Sequence, residues 1–150
     1  MRIAVGSDHA GYRLKGEIVK FLLDQGIECD DVGAHDEHSS DYPDFARAVA
    51  EAVARESCDL GVLVCGTGIG MAITANKVPG VRAAVCSETF SARMSRQHND
   101  ANVLCVGARV VGSGLALDIV DAFVGAQFEA GRHQRRVDKI MLVERTVQLA

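Results

Sequence analysis

Cys65 and His98 are the two residues of this sequence whose neighbours most strongly suggest chemistry. Cys65 stands directly before the turn Gly66-Thr67-Gly68-Ile69-Gly70, and His98 stands before Asn99. A thiol beside several main-chain N–H groups lies where a thiolate is stabilised, and such a glycine turn can hold an anion. An imidazole can exchange protons with a bound ligand. These two segments predict proton transfer at a site that also holds negative charge.

The glycine turn is not diagnostic by itself. It is equally consistent with a tight connection between a strand and a helix. No Lys-Ser or Lys-Thr pair follows it as in a Walker loop, and it lacks the glycine spacing of a dinucleotide fingerprint. A cysteine that ends an apolar strand is also usually inert core. The other four cysteines have no comparable turn beside them, and we interpret them as structural: Cys29, Cys58, Cys86 and Cys105.

Asp8, His9 and Arg109 are candidate ligand-binding residues because they follow predicted strands. In an open parallel sheet, ligands bind beyond the carboxyl ends of the strands. We also expect the helix that contains His98 to end at this edge of the sheet. A single histidine is more often a surface or core residue than a catalyst. His9 and His98 are candidates for catalysis because we expect both of them at the same edge of the sheet.

Arg132 and Arg136 are four residues apart and therefore share one face of a helix. This spacing suits recognition of a phosphate by two guanidinium groups. Arg135 and Lys139 lie nearby, so a solvated basic face is an equally good interpretation of the spacing alone.

One segment has the residue types of a metal site. His35-Asp36-Glu37-His38 lies in a polar loop, without a helical frame that would hold two imidazoles in place. We interpret it as a surface loop, and His133 as a surface or core residue. The sequence predicts no metal site.

The apolar pattern predicts the elements that must position these residues. Short apolar runs alternate with longer segments of helical periodicity, which is the pattern of βαβ units. We predict one domain over residues 1–150, with a Rossmann-like, doubly wound sheet of five parallel strands in a three-layer αβα arrangement. The predicted strands are 3–5, 27–32, 60–65, 81–86 and 102–106. The predicted helices are 12–25, a stretch that starts at Pro43, 70–76, 88–97 and 114–126, with a last helix from Arg132 onward.

The last helix has no following strand to cover. Val137, Ile140 and Met141 recur along it at helical spacing. We expect this apolar stripe to pack, at least in part, on a partner subunit.

Composition excludes several classes of protein. With 150 residues and 48% hydrophobic content, the chain can form a core without disulfide or metal crosslinks. A net charge of −4 argues against sequence-independent binding to nucleic acid. No apolar run is long enough to act as a signal peptide or to cross a membrane. The five cysteines contain no Cys-x-x-Cys pair, so we expect reduced thiols and a cytoplasmic protein.

Six motifs together resemble the family of the B-type ribose-5-phosphate isomerases and the galactose-6-phosphate isomerase subunits. The resemblance runs essentially from end to end, with the motifs in the order found in the family. They are Gly6-Ser7-Asp8-His9-Ala10-Gly11, Asp41-Tyr42-Pro43-Asp44, Cys65-Gly66-Thr67-Gly68-Ile69-Gly70, Ala75-Asn76-Lys77, Ser95-Arg96-Gln97-His98-Asn99-Asp100 and Gly131-Arg132-His133-Gln134-Arg135-Arg136-Val137.

The resemblance implies a role for each candidate residue. Cys65 is the base that moves a proton between C2 and C1 of the sugar, His98 opens the furanose ring, and Thr67 is grouped with them as catalytic. The remaining residues bind substrate. Asp8 and His9 contact the sugar, and the oxyanion is held by Gly66, Gly68, Ile69, Gly70 and Asn99. The phosphate is bound by Arg109, Arg132 and Arg136.

The resemblance also implies partners and cofactors. Family members are dimers or tetramers whose active sites are shared between subunits, so the expected partners are a sugar phosphate and a second copy of the chain. No metal ion and no organic cofactor are implied.

Differences within the family indicate which residue is the base and which substrate is favoured. Some members have a glutamate base just after the last loop glycine and lack the cysteine, whereas this chain has Met71 there and Cys65 before the loop, so we expect it to belong to the cysteine branch. Two other features favour the pentose phosphate as substrate. The galactose-6-phosphate type usually lacks the ring-opening histidine and the Gly-Arg-His-x-x-Arg run, and both are present here. A six-carbon sugar phosphate, such as allose 6-phosphate or galactose 6-phosphate, is the alternative substrate. A nucleotide-binding module without turnover and a redox sensor based on Cys65 are alternatives of other classes.

Overall fold

Strands and helices alternate through the computed structural model, which describes residues 1–148. Residues 149 and 150 of the predicted domain lie outside the described residues. The strands are β1 (Arg2–Ser7), β2 (Glu28–Asp31), β3 (Leu60–Cys65), β4 (Ala83–Val85) and β5 (Val103–Gly107). The helices are α1 (Tyr12–Asp24), α2 (Tyr42–Ala54), α3 (Ile69–Ala75), α4 (Thr89–Asn99), α5 (Ser113–Val124) and α6 (Gln134–Gln148). All of the predicted elements are confirmed, and no end is shifted by more than two residues.

The five strands form one parallel sheet in the order β2-β1-β3-β5-β4. Helices α1, α4 and α5 pack on one face, and helices α2 and α3 pack on the other. The predicted doubly wound, three-layer architecture is therefore confirmed. The central strand β3 is buried along its whole length, as expected for a strand covered on both faces.

Glycine and proline mark helix boundaries as the sequence predicts. Gly26 follows α1 with a φ of +75°, a left-handed conformation that ends a helix at little cost in glycine. Pro43 lies in the first turn of α2, where an absent N–H breaks no helical hydrogen bond.

Gly11 is the glycine at which the chain entering α1 touches the central strand. A Cβ atom at Gly11 would lie 2.7 Å from the carbonyl carbon of Val64. We expect Gly11→Ala to lower the free energy of unfolding by about 1–3 kcal/mol, the usual cost of forcing extra atoms into a packed site. Chemical denaturation measures this change.

Gly16→Ala is the matched control because Gly16 lies within α1 and nothing is within 4 Å of its Cβ position. It should raise the free energy of unfolding by roughly 0.5–1 kcal/mol, since alanine loses less backbone entropy than glycine in a helix. Equal stability of the two variants would show that the contact between Gly11 and β3 is unimportant.

None of the helices within residues 1–148 has the length and apolar character required to span a lipid bilayer.

Candidate active site

Cys65 lies at the carboxyl end of β3, and its thiol is the centre of the site. The residue is 5% exposed, and its Sγ accepts a hydrogen bond from the main-chain N–H of Gly68 at 3.0 Å. A donor directed at the sulfur stabilises negative charge on it. The structure therefore places Cys65 against the glycine turn as the sequence predicts, with one of its N–H groups on the sulfur.

The other cysteines have surroundings that oppose ionisation. Burial raises the pKa of Cys29, Cys58 and Cys105, and burial together with the nearby Glu88 carboxylate raises the pKa of Cys86 to about 11. Their interpretation as structural residues agrees with this. Glu88 itself caps α4 by accepting the N–H groups of Phe90 and Ser91.

The turn from Gly66 to Gly70 is held in shape from several sides. Gly68 has a φ of +79°, which lets the chain bend back so that its N–H reaches Cys65. The hydroxyl oxygen of Thr67 accepts the N–H of Ile69 at 3.3 Å. A Cβ atom at Gly70 would lie 2.7 Å from the ring of Tyr42, so this glycine allows the aromatic ring to pack against the turn.

Arg109 joins the turn to the end of the neighbouring strand β5. Its main-chain N–H donates to the carbonyl of Gly66 at 3.0 Å. A Cβ atom at Gly66 would lie 3.6 Å from Nη1 of Arg109, so the guanidinium group lies over the start of the turn. The structure thus brings Arg109 to the glycine turn that follows Cys65, at the predicted edge of the sheet.

Asp8 and His9 lie beside Cys65 because β1 and β3 are neighbours in the sheet. The N–H of Asp8 donates to the carbonyl of Val64 at 3.2 Å, and its carboxylate accepts the N–H of Gly11 at 3.0 Å. Asp8 is 6% exposed. Its bond with Gly11 uses one carboxylate oxygen to hold the turn between β1 and α1. His9 is half-buried and faces Ser40.

The expected position of His98 is wrong for a single chain. A helix that follows a strand of a parallel sheet must run back toward the amino ends of the strands, so α4 starts near the end of β4 and finishes near its start. The residue after the helix, Asp100, receives hydrogen bonds from Arg82, which directly precedes β4. His98 and Asn99 therefore lie at the amino edge of the sheet, opposite Cys65.

The end of α4 is fixed by a cluster of two arginines and one aspartate. Asp100 adopts a left-handed φ of 46°, and its carboxylate is paired with Arg82 at 3.1 Å and with Arg96 at 2.9 Å. Arg82 also donates to the main-chain carbonyl of Asp100 at 2.8 Å. Both guanidinium groups are largely buried. This cluster holds the helix end that presents His98 and Asn99.

His98 stacks on His133. The ring centroids are 4.1 Å apart with an angle of 6° between the planes. The carboxylate of Glu129 lies 4.0 Å from Nε2 of His98 and 3.8 Å from Nε2 of His133. Burial, followed by the charges of His98 and Arg132, lowers the pKa of His133 and favours its neutral form.

His98, Glu129 and His133 are also the one group of possible metal ligands found within residues 1–148. Metal–imidazole bonds lie in the ring plane, and two parallel stacked rings cannot both direct their lone pairs at one ion. The arrangement fits a positioned imidazole pair better than a metal site.

The segment His35-Asp36-Glu37-His38 is an exposed loop, as predicted, and Glu37 is paired with Arg13.

Arg132 and Arg136 lie near His98 at the amino edge. Nε of Arg132 is 3.4 Å from Nε2 of His133, and both arginines are exposed. The apolar stripe of α6 is partly covered by its own chain, and its expected contact with a partner subunit stays a prediction. Val137 is buried in its own chain, and Glu144 accepts the N–H of Gly80 at 2.8 Å. Ile140 is 47% exposed and leaves part of the stripe uncovered.

Each end of the sheet therefore carries half of the predicted site. The carboxyl edge has the thiol, the glycine turn and one arginine, and the amino edge has the second histidine, an amide and two arginines. The first half consists of Asp8, His9, Cys65, Gly66, Thr67, Gly68, Ile69, Gly70 and Arg109. The second half consists of His98, Asn99, Arg132 and Arg136.

Sequence reasoning missed three residues at these half-sites. Tyr42 packs on Gly70, and Glu129 and His133 surround His98. Tyr42 lies in a motif of the family resemblance, and the position before Pro43 at the start of a helix could have placed it at the carboxyl edge. No local pattern indicates Glu129, because a loop brings it to α4.

The family model for Ribose/Galactose Isomerase matches residues 3–140. The chain belongs to this family. It is 54% identical over 143 residues to ribose-5-phosphate isomerase B of Escherichia coli, covering 95% of this chain and 96% of that protein. It is 47% identical to a putative sugar phosphate isomerase of Bacillus subtilis, covering 93% of this chain and 95% of that protein.

Solved structures of the family share the fold. Ribose-5-phosphate isomerase B of Clostridium thermocellum matches with a TM-score of 0.97 and 56% identity, over 98% of this chain and 99% of that one. Ribose-5-phosphate isomerase B of Mycoplasma genitalium with bound ribulose 5-phosphate matches with a TM-score of 0.92 and 45% identity, over 96% of each chain.

Proposed function

We propose that the protein interconverts ribose 5-phosphate and ribulose 5-phosphate through an enediolate intermediate. The observation that supports this most directly is the thiol of Cys65, buried and hydrogen-bonded by the N–H of Gly68 at 3.0 Å. A base that removes a proton from carbon works best when it is partly shielded from water and when fixed dipoles adjust its affinity for the proton. Relatives bearing the name ribose-5-phosphate isomerase B support the choice of substrate.

Cys65 acts as the base. Its thiolate takes the proton from C2 of the open-chain aldose, and the C–H electron pair forms the C1–C2 double bond while negative charge moves to the aldehyde oxygen. A proton then moves from the oxygen on C2 to the oxygen on C1. The thiol returns its proton to C1, which leaves a ketone at C2. No atom is gained or lost.

The glycine turn and Thr67 stabilise the enediolate. Fixed donors that surround developing charge do not have to reorganise during the reaction, and this lowers the barrier. The oxygen of Thr67 already accepts the N–H of Ile69, so its hydroxyl hydrogen can be donated to the ligand. Asn99 supplies an amide donor from the other half-site.

The complete site is formed by two copies of the chain. Cys65 and His98 lie at opposite edges of one sheet, so one chain cannot bring both to the same sugar. Exposed apolar side chains around the glycine turn support a contact with a second copy: Tyr42, Ile69, Ile73 and Val110, each at least 41% exposed. The assembly is a homodimer or a tetramer in which each site combines the two kinds of half-site.

His98 opens the furanose ring before proton transfer. A half-exposed imidazole at the end of α4, stacked on a neutral partner and close to a carboxylate, is suited to move a proton between the ring oxygen and the anomeric hydroxyl. Glu129 balances the positive charge that appears on His98 during this step.

Arg109, Arg132 and Arg136 bind the phosphate, Arg109 from one chain and the other two from its partner. We expect Arg136→Ala to raise KM by about 10- to 150-fold, equivalent to roughly 1.5–3 kcal/mol for a hydrogen bond to a charged group. The change in kcat should be much smaller, because the phosphate is bound equally in the ground and transition states. Steady-state kinetics measures both constants.

Arg135→Ala is the control for Arg136→Ala, since Arg135 is an exposed neighbour in α6. It should leave KM nearly unchanged. Equal effects of the two substitutions would indicate a general loss of positive charge instead of a specific contact.

Met71 supports assignment to the cysteine branch of the family. It occupies the position of the alternative glutamate base, and it is fully buried in the core formed with α2 and β3. Cys65 is therefore the proposed base.

Turnover of three sugar phosphates tests the proposed function. The purified protein should isomerise ribose 5-phosphate with the highest kcat/KM of the series, ahead of allose 6-phosphate and galactose 6-phosphate. Preference for allose 6-phosphate or galactose 6-phosphate would contradict the pentose phosphate as substrate and support the six-carbon alternative. Absence of turnover on all three, with binding of ATP or NAD, would support a nucleotide-binding module.

We also propose that the protein works in the cytoplasm. All five cysteines are unpaired, as is usual in a reducing compartment.

A further inference from the structure

His9 and Ser40 form a reciprocal pair of hydrogen bonds, although they are 31 residues apart. The main-chain N–H of Ser40 donates to Nδ1 of the His9 ring at 3.2 Å. The main-chain N–H of His9 donates to the hydroxyl oxygen of Ser40, also at 3.2 Å. A main-chain N–H can only donate, so the nitrogen that it contacts must be the unprotonated one.

A buried lysine anchors the start of the loop that carries Ser40. Lys15 of α1 is 1% exposed, and its ammonium group donates to the carboxylate of Asp31 and to the carbonyl of Ala34 at 2.7 Å. The main chain of Ser7 pairs with both residues of the Gly33-Ala34 step. The start of this loop is thus bound to β1 and α1 at Gly33 and Ala34, and the loop returns to the site at Ser40, which contacts His9.

We infer that Ser40 is a positioning residue that holds His9 in the tautomer with the proton on Nε2. His9 then presents a neutral N–H donor to the ligand and has no acceptor nitrogen on that side. The inference rests on the proposed function, because His9 is the sugar-binding histidine beside Cys65. It assigns the two site histidines different tasks: His9 donates a fixed hydrogen bond, and His98 moves protons.

The consequence for the reaction is a limit on what His9 can do. A proton on Nδ1 of His9 would face the main-chain N–H of Ser40. Two donors cannot form a hydrogen bond with each other, so the bond would be lost. Because Nε2 of His9 already carries a proton, it cannot accept a proton from the sugar. His9 therefore selects a ligand oxygen with lone pairs at this position, such as a hydroxyl or a phosphate oxygen, and takes no part in ring opening.

Nuclear magnetic resonance of the protein labelled with ¹⁵N tests the inference without substrate. We expect a coupling through the hydrogen bond between the amide nitrogen of Ser40 and Nδ1 of His9. The ¹⁵N shifts of His9 should show a protonated Nε2 and an unprotonated Nδ1. A His9→Gln variant assigns the signals among the five histidines. Absence of the coupling in the wild-type protein, or a protonated Nδ1, would overturn the inference.

Two substitutions at Ser40 separate the roles of its amide and its hydroxyl. Ser40→Ala keeps the N–H, so the coupling and the tautomer should persist. Ser40→Pro removes the N–H, so the coupling should disappear and both tautomers should be populated. The KM for ribose 5-phosphate should rise by about 2- to 10-fold in Ser40→Pro and less in Ser40→Ala, as for loss of one hydrogen bond. An unchanged tautomer in a folded Ser40→Pro protein would contradict the assigned role.

The spectroscopic result does not depend on turnover. A protein that shows the coupling and the fixed tautomer but does not act on ribose 5-phosphate would retain the inference about Ser40 and contradict the proposed function. If Ser40→Pro does not fold, the coupling in the wild-type protein still decides the question.

Discussion

Replacement of Cys65 with alanine should reduce turnover of ribose 5-phosphate by at least about 100-fold, the lower range for loss of a general base. The substitution removes the Sγ that accepts the Gly68 N–H and leaves the arginines in place. Binding of the sugar phosphate should therefore remain close to that of the wild-type protein, because the base acts in the transition state. Kinetics and calorimetric titration with ribose 5-phosphate measure the two quantities.

Exchange of the C1 proton of ribulose 5-phosphate with solvent deuterium provides a second readout for Cys65→Ala. This exchange uses the same base in the reverse direction, so it should be lost together with turnover. Cys29→Ser is the matched control, since Cys29 lies on β2 outside both half-sites and its pKa is raised by burial. Turnover of Cys65→Ala above about a hundredth of the wild-type value would mean that another group is the base.

Replacement of His98 with asparagine should separate ring opening from proton transfer. We expect turnover of ribose 5-phosphate, which is mainly cyclic, to fall by about 100-fold or more, the contribution expected of an acid–base group. Ribulose 5-phosphate cannot close a furanose ring because its C5 oxygen carries the phosphate. Solvent exchange at its C1 should therefore continue at a rate close to that of the wild-type protein.

The two variants thus give different patterns with the same pair of assays. Cys65→Ala loses turnover and exchange, whereas His98→Asn loses turnover alone. Equal loss of both activities in His98→Asn would remove its role in ring opening. Arg93→Asn is a suitable control on the same helix, because Arg93 is exposed and lies outside both half-sites.

The strands and the first half-site could be predicted from the sequence because their signals are local. The apolar run that forms β3 has to be covered on both faces, and the residue that follows it must lie at the edge where parallel sheets bind ligands. Cys65 and the glycine turn are adjacent in the chain, so their contact needs no knowledge of the tertiary structure.

The expectation that His98 lies at the carboxyl edge is wrong because the edge at which a helix ends depends on the direction in which the helix runs. A helix between parallel strands reverses the chain, and the last residue of α4 lies far from the end of β4. The contacts of His98 with Glu129 and of His9 with Ser40 depend on loops that meet in space. No periodicity or spacing in the sequence specifies such contacts.

A mixed assembly of two inactive chains tests the central claim that each active site uses Cys65 of one copy and His98 of another. Chains with Cys65→Ala and chains with His98→Asn are produced together with different tags, and the assembly that contains both is isolated by two affinity steps. One site of such a dimer has both wild-type residues, and the other has neither. Turnover of ribose 5-phosphate should return to about half of the wild-type value per dimer, since one of two equivalent sites is intact. A mixed dimer no more active than its two parents would contradict the shared site.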